Sequence, residues 1–223
     1  MLDVTHLIGF GAGGGVAAAT VSYRTNANTG NSYGASTKTF SALDIGTASA
    51  DRIVIVALIG IPNAGTVTIS SVTIGGVSAA SCCTGIGDTQ AFVEFWAATV
   101  PSGTTGDVAV TASGNMFNCF VGVWATTGLG SGTATASGTS TADPGSASLN
   151  ISAGGIALGA GFNSNNAPNV TWSNLTEDFD STQGGSRTYT GASQAFAAAQ
   201  TGLSLSADYA SSANPRTVLA AFR

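Results

Sequence analysis

Charge is what this 223-residue chain has least of: six Lys and Arg, eleven Asp and Glu, and one histidine make 8% charged residues, where globular chains carry about 25%. The formal net charge is −5 and no block of Lys or Arg occurs, which weighs against nucleic-acid binding, because phosphates need clustered cations. The single imidazole, His6, lies in a glycine-rich stretch. A Ser-His-Asp or Cys-His mechanism would therefore have its base outside any rigid frame, and a three-ligand zinc site lacks its imidazoles. Three cysteines, Cys82, Cys83 and Cys119, form an odd set without metal-type spacing, so at least one thiol has no partner within the chain. Cys119 alternates with apolar neighbours, which predicts a buried reduced thiol; a disulfide to Cys82 or Cys83 is the alternative. Strong helix formers other than Ala are scarce, with two Glu and one Lys in the whole chain, so helices are not expected. No apolar run reaches the ~18–20 residues that cross a bilayer, since Leu7 to Val21 contains five glycines. Neither membrane insertion nor a secretory signal is expected, because the N-terminus has no cationic region and no long apolar one. Either a leader has been removed or the protein reaches the outside by another route, such as assembly into a particle released by lysis.

What the chain has in abundance is glycine, 31 residues, with 29 Thr, 26 Ser and 43% hydrophobic residues. That apolar content argues for a folded core rather than disorder. Short β-type segments recur about every ten residues, broken by Gly, Ser, Asn and Pro. They predict an all-β, two-layer antiparallel β-sandwich of about thirteen strands over residues 36–223, preceded by an extended N-terminal arm over 1–35. Ile53 to Ile59 is apolar without interruption and predicts a strand buried on both faces. Thr66 to Ile69 alternates as a half-buried strand does. Gly75-Gly76 predicts a tight hairpin turn. Asp107 to Thr111 and Phe117 to Thr126 read as two strands, the second with Phe117, Cys119, Val121 and Val123 on one face and Phe120 and Trp124 on the other. Gly128 to Ala142 is weakly apolar and reads as a loop rather than an edge strand. The arm's apolar residues would be exposed if it hung free, so it is expected to dock on a neighbour.

Few constellations carry chemistry. Gly9-Phe10-Gly11-Ala12-Gly13-Gly14 fits G-x-G-x-x-G, but a strand-like stretch follows it and the next acid, Asp44, is too far on for a ribose contact, so no dinucleotide cofactor is expected. Two carboxylates suffice for glycoside hydrolysis, and Glu94, Glu177, Asp178 and Asp180 are the candidates. No spacing pairs them. Glu94 reads as an outward residue in a strand, and Glu177-Asp178-Phe179-Asp180 as a solvated loop with too few oxygens for calcium. Trp96, Trp124 and Trp172, with Tyr23, Tyr33, Tyr189 and Tyr209, could stack on sugars, but rings of this kind more often fill a core.

Asp51-Arg52-Ile53-Val54-Ile55-Val56, Val72-Thr73-Ile74-Gly75-Gly76-Val77, Ala91 to Trp96, Val100-Pro101-Ser102-Gly103-Thr104 through Thr111, and Val121-Gly122-Val123-Trp124 follow one another in an order similar to that of a known group. The chain resembles the jelly-roll-like β-sandwich domains of tailed-phage virion proteins and bacterial surface proteins, over roughly residues 50–222. The resemblance implies a non-enzymatic structural component, a capsid decoration or fibre-type protein of a virion, with no catalytic, cofactor or metal residues. Expected partners are copies of itself and other virion proteins. The alternative is a carbohydrate-binding module or receptor-reading domain that takes a host-surface glycan.

Overall fold

The structure, a computed structural model, describes residues 17–31, 34–165, 169–183 and 186–223. Strands succeed one another without a helix among the described residues. They are β1 (Thr20–Asn28), β2 (Ala35–Asp44), β3 (Ile53–Pro62), β4 (Ile69–Ile74), β5 (Val77–Ser78), β6 (Ala80–Ser81), β7 (Ile86–Gly87), β8 (Phe92–Thr99) and β9 (Thr105–Thr127), then β10 (Ala136–Ser140), β11 (Gly145–Ile151), β12 (Gly155–Asn163), β13 (Val170–Ser173), β14 (Thr176–Gln183), β15 (Arg187–Phe196), β16 (Gln200–Tyr209) and β17 (Arg216–Phe222). All pairings are antiparallel. The expected all-β sandwich is therefore present, and its two-layer packing recurs along the molecule.

β9 organises the first half. Its C-terminal part lies between β1 and β3, with β8 beyond β3, and its N-terminal part lies between β2 and β4. The sheet thus folds over on itself into an outer wing and an inner layer. The wing's Phe40, Val72, Ile74, Val108 and Val110 meet Val54, Val56, Leu58, Val121 and Val123 of the inner layer in one core. The opposite face of the inner layer, with Ile55, Ile59, Phe95, Phe120 and Trp124, packs on Ile156, Leu158, Phe162, Tyr189 and Phe222 in a second core. Those residues belong to the five-stranded sheet β10-β17-β12-β15-β14, whose other face covers the three-stranded sheet β11-β16-β13 through Leu149, Trp172, Leu205 and Tyr209. Three cores thus separate four layers. β3 is central, as its continuous apolar run predicts: alternate residues feed different cores, each fully buried aliphatic contributing about 1.5–3 kcal/mol.

Several boundaries differ from the sequence reading. Thr20–Asn28, assigned to the arm, is a strand of the inner layer, and Ala35 opens β2; residues 1–16 and 32–33 of that arm lie outside the described residues. Thr66 to Thr68 precede rather than open β4. Residues 105–127 form one strand rather than two, because Ser113-Gly114-Asn115 bends without turning back. In that bend Asn118 pairs with Ile61 and Met116 with Pro62, leaving Phe117 as an extra residue. This bulge reverses the side-chain parity: Val108, Val110 and Met116 face the wing core at even numbers, whereas Cys119, Val121 and Val123 face it at odd ones. Phe117 leaves the face predicted for it and stacks against Arg187. Ala136–Ser140, read as part of a loop, is an edge strand paired with β17.

Glycine is used for close approach as well as for turns. Gly75 and Gly76 take positive φ, 58° and 80°, in the predicted hairpin. Gly159 and Gly161 instead open the outward face of β12 to large rings: a Cβ on Gly159 would stand 2.7 Å from Trp172 Cη2.

Candidate functional site

Most polar groups inside the stack are occupied in holding layers and loops together. Arg52, immediately before β3, is fully buried. Its Nε donates to Val100 O at 2.7 Å, Nη1 to Gly46 O at 2.5 Å and Nη2 to Ser102 O at 2.7 Å, so one guanidinium satisfies carbonyls of the two loops at that end of the wing. Arg24 forms a two-pronged pair with Asp44, 3.2 and 2.6 Å, and the Arg24 hydrogen bond holds the Asp44 carboxyl below its usual range. Arg216, opening β17, pairs with Asp88 in the β7–β8 loop and joins the two halves of the molecule.

Asn118 is fully buried at the opposite end of the second core. Its Nδ2 reaches Gln183 Oε1 at 2.6 Å, Asn28 Oδ1 at 2.9 Å and Gly30 O at 3.1 Å, and Tyr189 Oη donates to its Oδ1 at 2.9 Å. The bulge at Phe117 is what turns Asn118 toward this core. One amide thereby ties β1, β9, β14 and β15.

The sequence candidates for acid–base work are distributed in the same way. Glu177–Asp180 is not a solvated loop but part of β14, because Phe179 anchors that segment against Tyr23, Phe120 and Trp124. Asp178, half-buried at a bulge in β14, accepts from Trp124 Nε1 at 2.7 Å; burial pushes its carboxyl up. Asp180 Oδ2 accepts from the Val170 backbone N–H at 2.8 Å, bridging to the outer layer. Its Oδ1 is buried without a well-formed hydrogen bond, facing the Thr190 hydroxyl that accepts from Trp172 Nε1 at 2.9 Å, and burial drives this carboxyl up to about 6. Glu94 is half-buried rather than outward: it lies against Gly85 and accepts from Trp96 Nε1 at 2.9 Å, and burial raises it too. It projects to the wing side of the inner layer, whereas Asp178 meets Trp124 on the other side. A full β-layer stands between them, and the backbone of β14 separates the directions of Asp178 and Asp180. Glu94 shares no space with the β14 carboxylates; Glu177, exposed on β14, is raised by burial and by the Asp178 charge and itself helps raise Asp180, so a pair for displacement at a sugar carbon would have to come from β14 alone.

Among the described residues no group of three His, Cys, Asp or Glu could hold a metal ion, and no helix is long and apolar enough to cross a membrane. All three cysteines are free thiols, Cys82 and Cys119 buried. Burial pushes Cys119 up to about 12 and Cys83 to about 11, far from nucleophilic range. Trp124 and Trp172 lie in cores and Trp96 is half-buried. His6, the Gly9–Gly14 motif and Tyr33 lie outside the described residues.

What the interior leaves free is a surface of hydroxyls. Across the outer wing Thr37, Thr111 and Ser71 stand in register. Across the outer layer Ser146, Ser206 and Ser173 form one row, and Ser148 and Ser204 another. Neutral, small and hydrogen-bonding, such faces suit close subunit packing better than capture of a charged ligand. Sequence reasoning missed these rows because they depend on register, which alternation alone does not fix. No family model, no curated protein and no solved structure matches the chain.

Proposed function

We propose that this protein is a non-enzymatic structural component of a phage virion, a capsid decoration or fibre-type protein, that works by packing against copies of itself and against other virion proteins. The observation that carries this reading is the division of labour among its side chains. Trp124, Trp172, Asp178 and Asp180 bond one layer to another, Arg52 and Arg216 hold loops and halves together and Glu94 bonds Trp96 within β8, while the two outermost faces carry rows of Ser and Thr with Asp107 and Asp208 as their exposed charges. A chain of this kind is a rigid spacer with adhesive faces of low charge. The resemblance over residues 50–222 supplies the virion context, and the docking role expected of the N-terminal arm, residues 1–35, now falls on residues 1–16, which lie outside the described residues. No observation favours the glycan-binding alternative, which calls for an open row of aromatic rings.

An antiserum against the purified chain tests the assignment. It should label particles that band in a density gradient of phage lysate, at constant stoichiometry to the major capsid protein. Recovery only in the low-mass soluble fractions, with particles unlabelled, sinks the reading.

A further inference from the structure

The two sides of the layered stack are unequal in how their edges are protected. On one side β14 ends the five-stranded sheet with Glu177, Asp178 and Asp180 along it and a bulge at Asp178, both devices that stop a bare strand from recruiting another. On the other side the same sheet ends in β10, Ala-Ser-Gly-Thr-Ser, which has no charge, no proline and an unbroken register with β17. Among the described residues β10 is bonded to β17 alone, and its neighbour in the next layer, β11, to β16 alone. The two edges lie one above the other: a Cβ on Gly138 of β10 would strike Ala147 of β11. Between Asp107 and Glu177 the sequence holds a single charged residue, Asp143.

We infer that the β10–β11 edge pairs antiparallel with the same edge of a second copy across a twofold axis, doubling both the five-stranded and the three-stranded sheet. This deepens the self-packing part of the function proposed above and rests on that part alone. Charge distribution selects the occupant. Copies carrying a net charge of −5 repel one another wherever their acids meet, and the β14 edge is where acids concentrate, so a like-with-like contact belongs on the acid-poor side, where Asp143 in the β10–β11 turn is the one acid between Asp107 and Glu177. A basic partner would choose the opposite edge. A twofold contact also uses one patch twice and must be self-complementary; exposed Ser137, Thr139, Ser146 and Ser148 meet their own kind as hydroxyl against hydroxyl without steric or ionic conflict.

Sedimentation equilibrium of the full chain over a wide concentration range, with amide hydrogen exchange at high concentration, tests this. Wild type should be dimeric, and the alternate amides of β10 that do not bond β17 should be protected. Thr139→Lys with Ser148→Lys, both exposed positions, should weaken the dimer about tenfold or more by placing like charges across the axis. Thr182→Lys on β14 should leave it unchanged. A wild-type monomer whose free-edge β10 amides exchange rapidly overturns the inference without recourse to any variant. A dimer indifferent to the two lysines also overturns it while leaving self-packing through another face intact, and equal weakening by Thr182→Lys assigns the contact to the wrong side.

Discussion

Gly159→Ala isolates the physical role of glycine in this fold. The added methyl on β12 would lie 2.7 Å from Trp172 Cη2 and 3.0 Å from Leu175 Cδ1, against a comfortable carbon–carbon separation of about 3.5–4.0 Å. Trp172 cannot slide away freely, because its Nε1 is bonded to Thr190 Oγ1 at 2.9 Å in the third core. Two effects oppose each other. Replacing Gly in a strand by Ala favours the fold by about 0.5–1 kcal/mol, whereas overpacking a filled core costs about 1–3 kcal/mol. Overpacking wins here because the atoms in conflict are a rigid ring rather than a flexible chain end, so a net loss of about 1–2 kcal/mol is expected. For a chain of this length that lowers Tm by about 2–8 °C. Urea unfolding should show a lower midpoint at unchanged slope, with an altered near-ultraviolet tryptophan band. In a Trp172→Leu background the same alanine should become neutral or mildly stabilising, since the ring it opposes is gone. A midpoint for Gly159→Ala at or above wild type would refute the claim that this glycine exists to admit the indole.

Three other perturbations follow from the buried polar groups. Arg52→Met removes the donor shared by the Gly46, Val100 and Ser102 carbonyls and should cost about 3 kcal/mol or more in urea unfolding; a loss within about 0.5 kcal/mol, typical of a surface change, would mean the guanidinium does not hold the loops. Asn118→Leu strands the Tyr189 hydroxyl and removes the donor shared by Asn28, Gly30 and Gln183, and should cost about 2–4 kcal/mol, well above Tyr189→Phe in the same assay; equal costs would show that the amide's other contacts contribute nothing. Asp180, raised by burial to about 6, is more easily protonated folded than unfolded, so its contribution to stability is complete below the unfolded value near 3.9 and is lost as pH rises through about 6. Asp44 and Asp88 are lowered and act in the opposite sense, losing their contribution as pH falls below the ordinary carboxylate range. Stability should therefore peak between about pH 4 and 6. Asp180→Asn should flatten the decline toward pH 8 by about 1–2 kcal/mol, a figure reduced for partial solvent screening. An unchanged slope in the variant would assign the decline to another group.

The parts of this architecture visible in the residue pattern are those where local and global preferences agree. Ile53 to Ile59 reads as a central strand because only burial on both faces accommodates so many consecutive β-branched residues, and Gly75-Gly76 reads as a turn because the backbone there needs positive φ. β14 was illegible for the opposite reason. Its single large apolar residue, Phe179, is surrounded by carboxylates, and its strand character comes from rings contributed by β1 and β9. β10 has almost nothing to bury and is held by its register on β17. The Trp124–Asp178 bond links residues 54 apart in sequence, and nothing local to either announces it. Arg52 before an apolar run reads equally as a solvated strand entry; two of the three carbonyls that define its role, Val100 and Ser102, come from the β8–β9 loop far along the chain. The face predicted for Phe117 failed at one residue, because a bulge is a register event and leaves no compositional mark.

The 23-residue strand β9 imposes an order of events on synthesis. Among the described residues β1 and β2 have no hydrogen-bonded neighbour strand other than β9, and β4 has only the two-residue β5 besides. As the polypeptide emerges from the ribosome, these early segments wait with open edges until residues 105–127 arrive. Contacts of such long sequence separation make acquisition of the native state slow, and the interval exposes the strand-forming segments to mispairing with other nascent chains. The scarcity of large apolar side chains in β1 and β2, and the hydroxyl-rich sequence that replaces them, keeps those waiting strands wetted until the late-made staple closes over them.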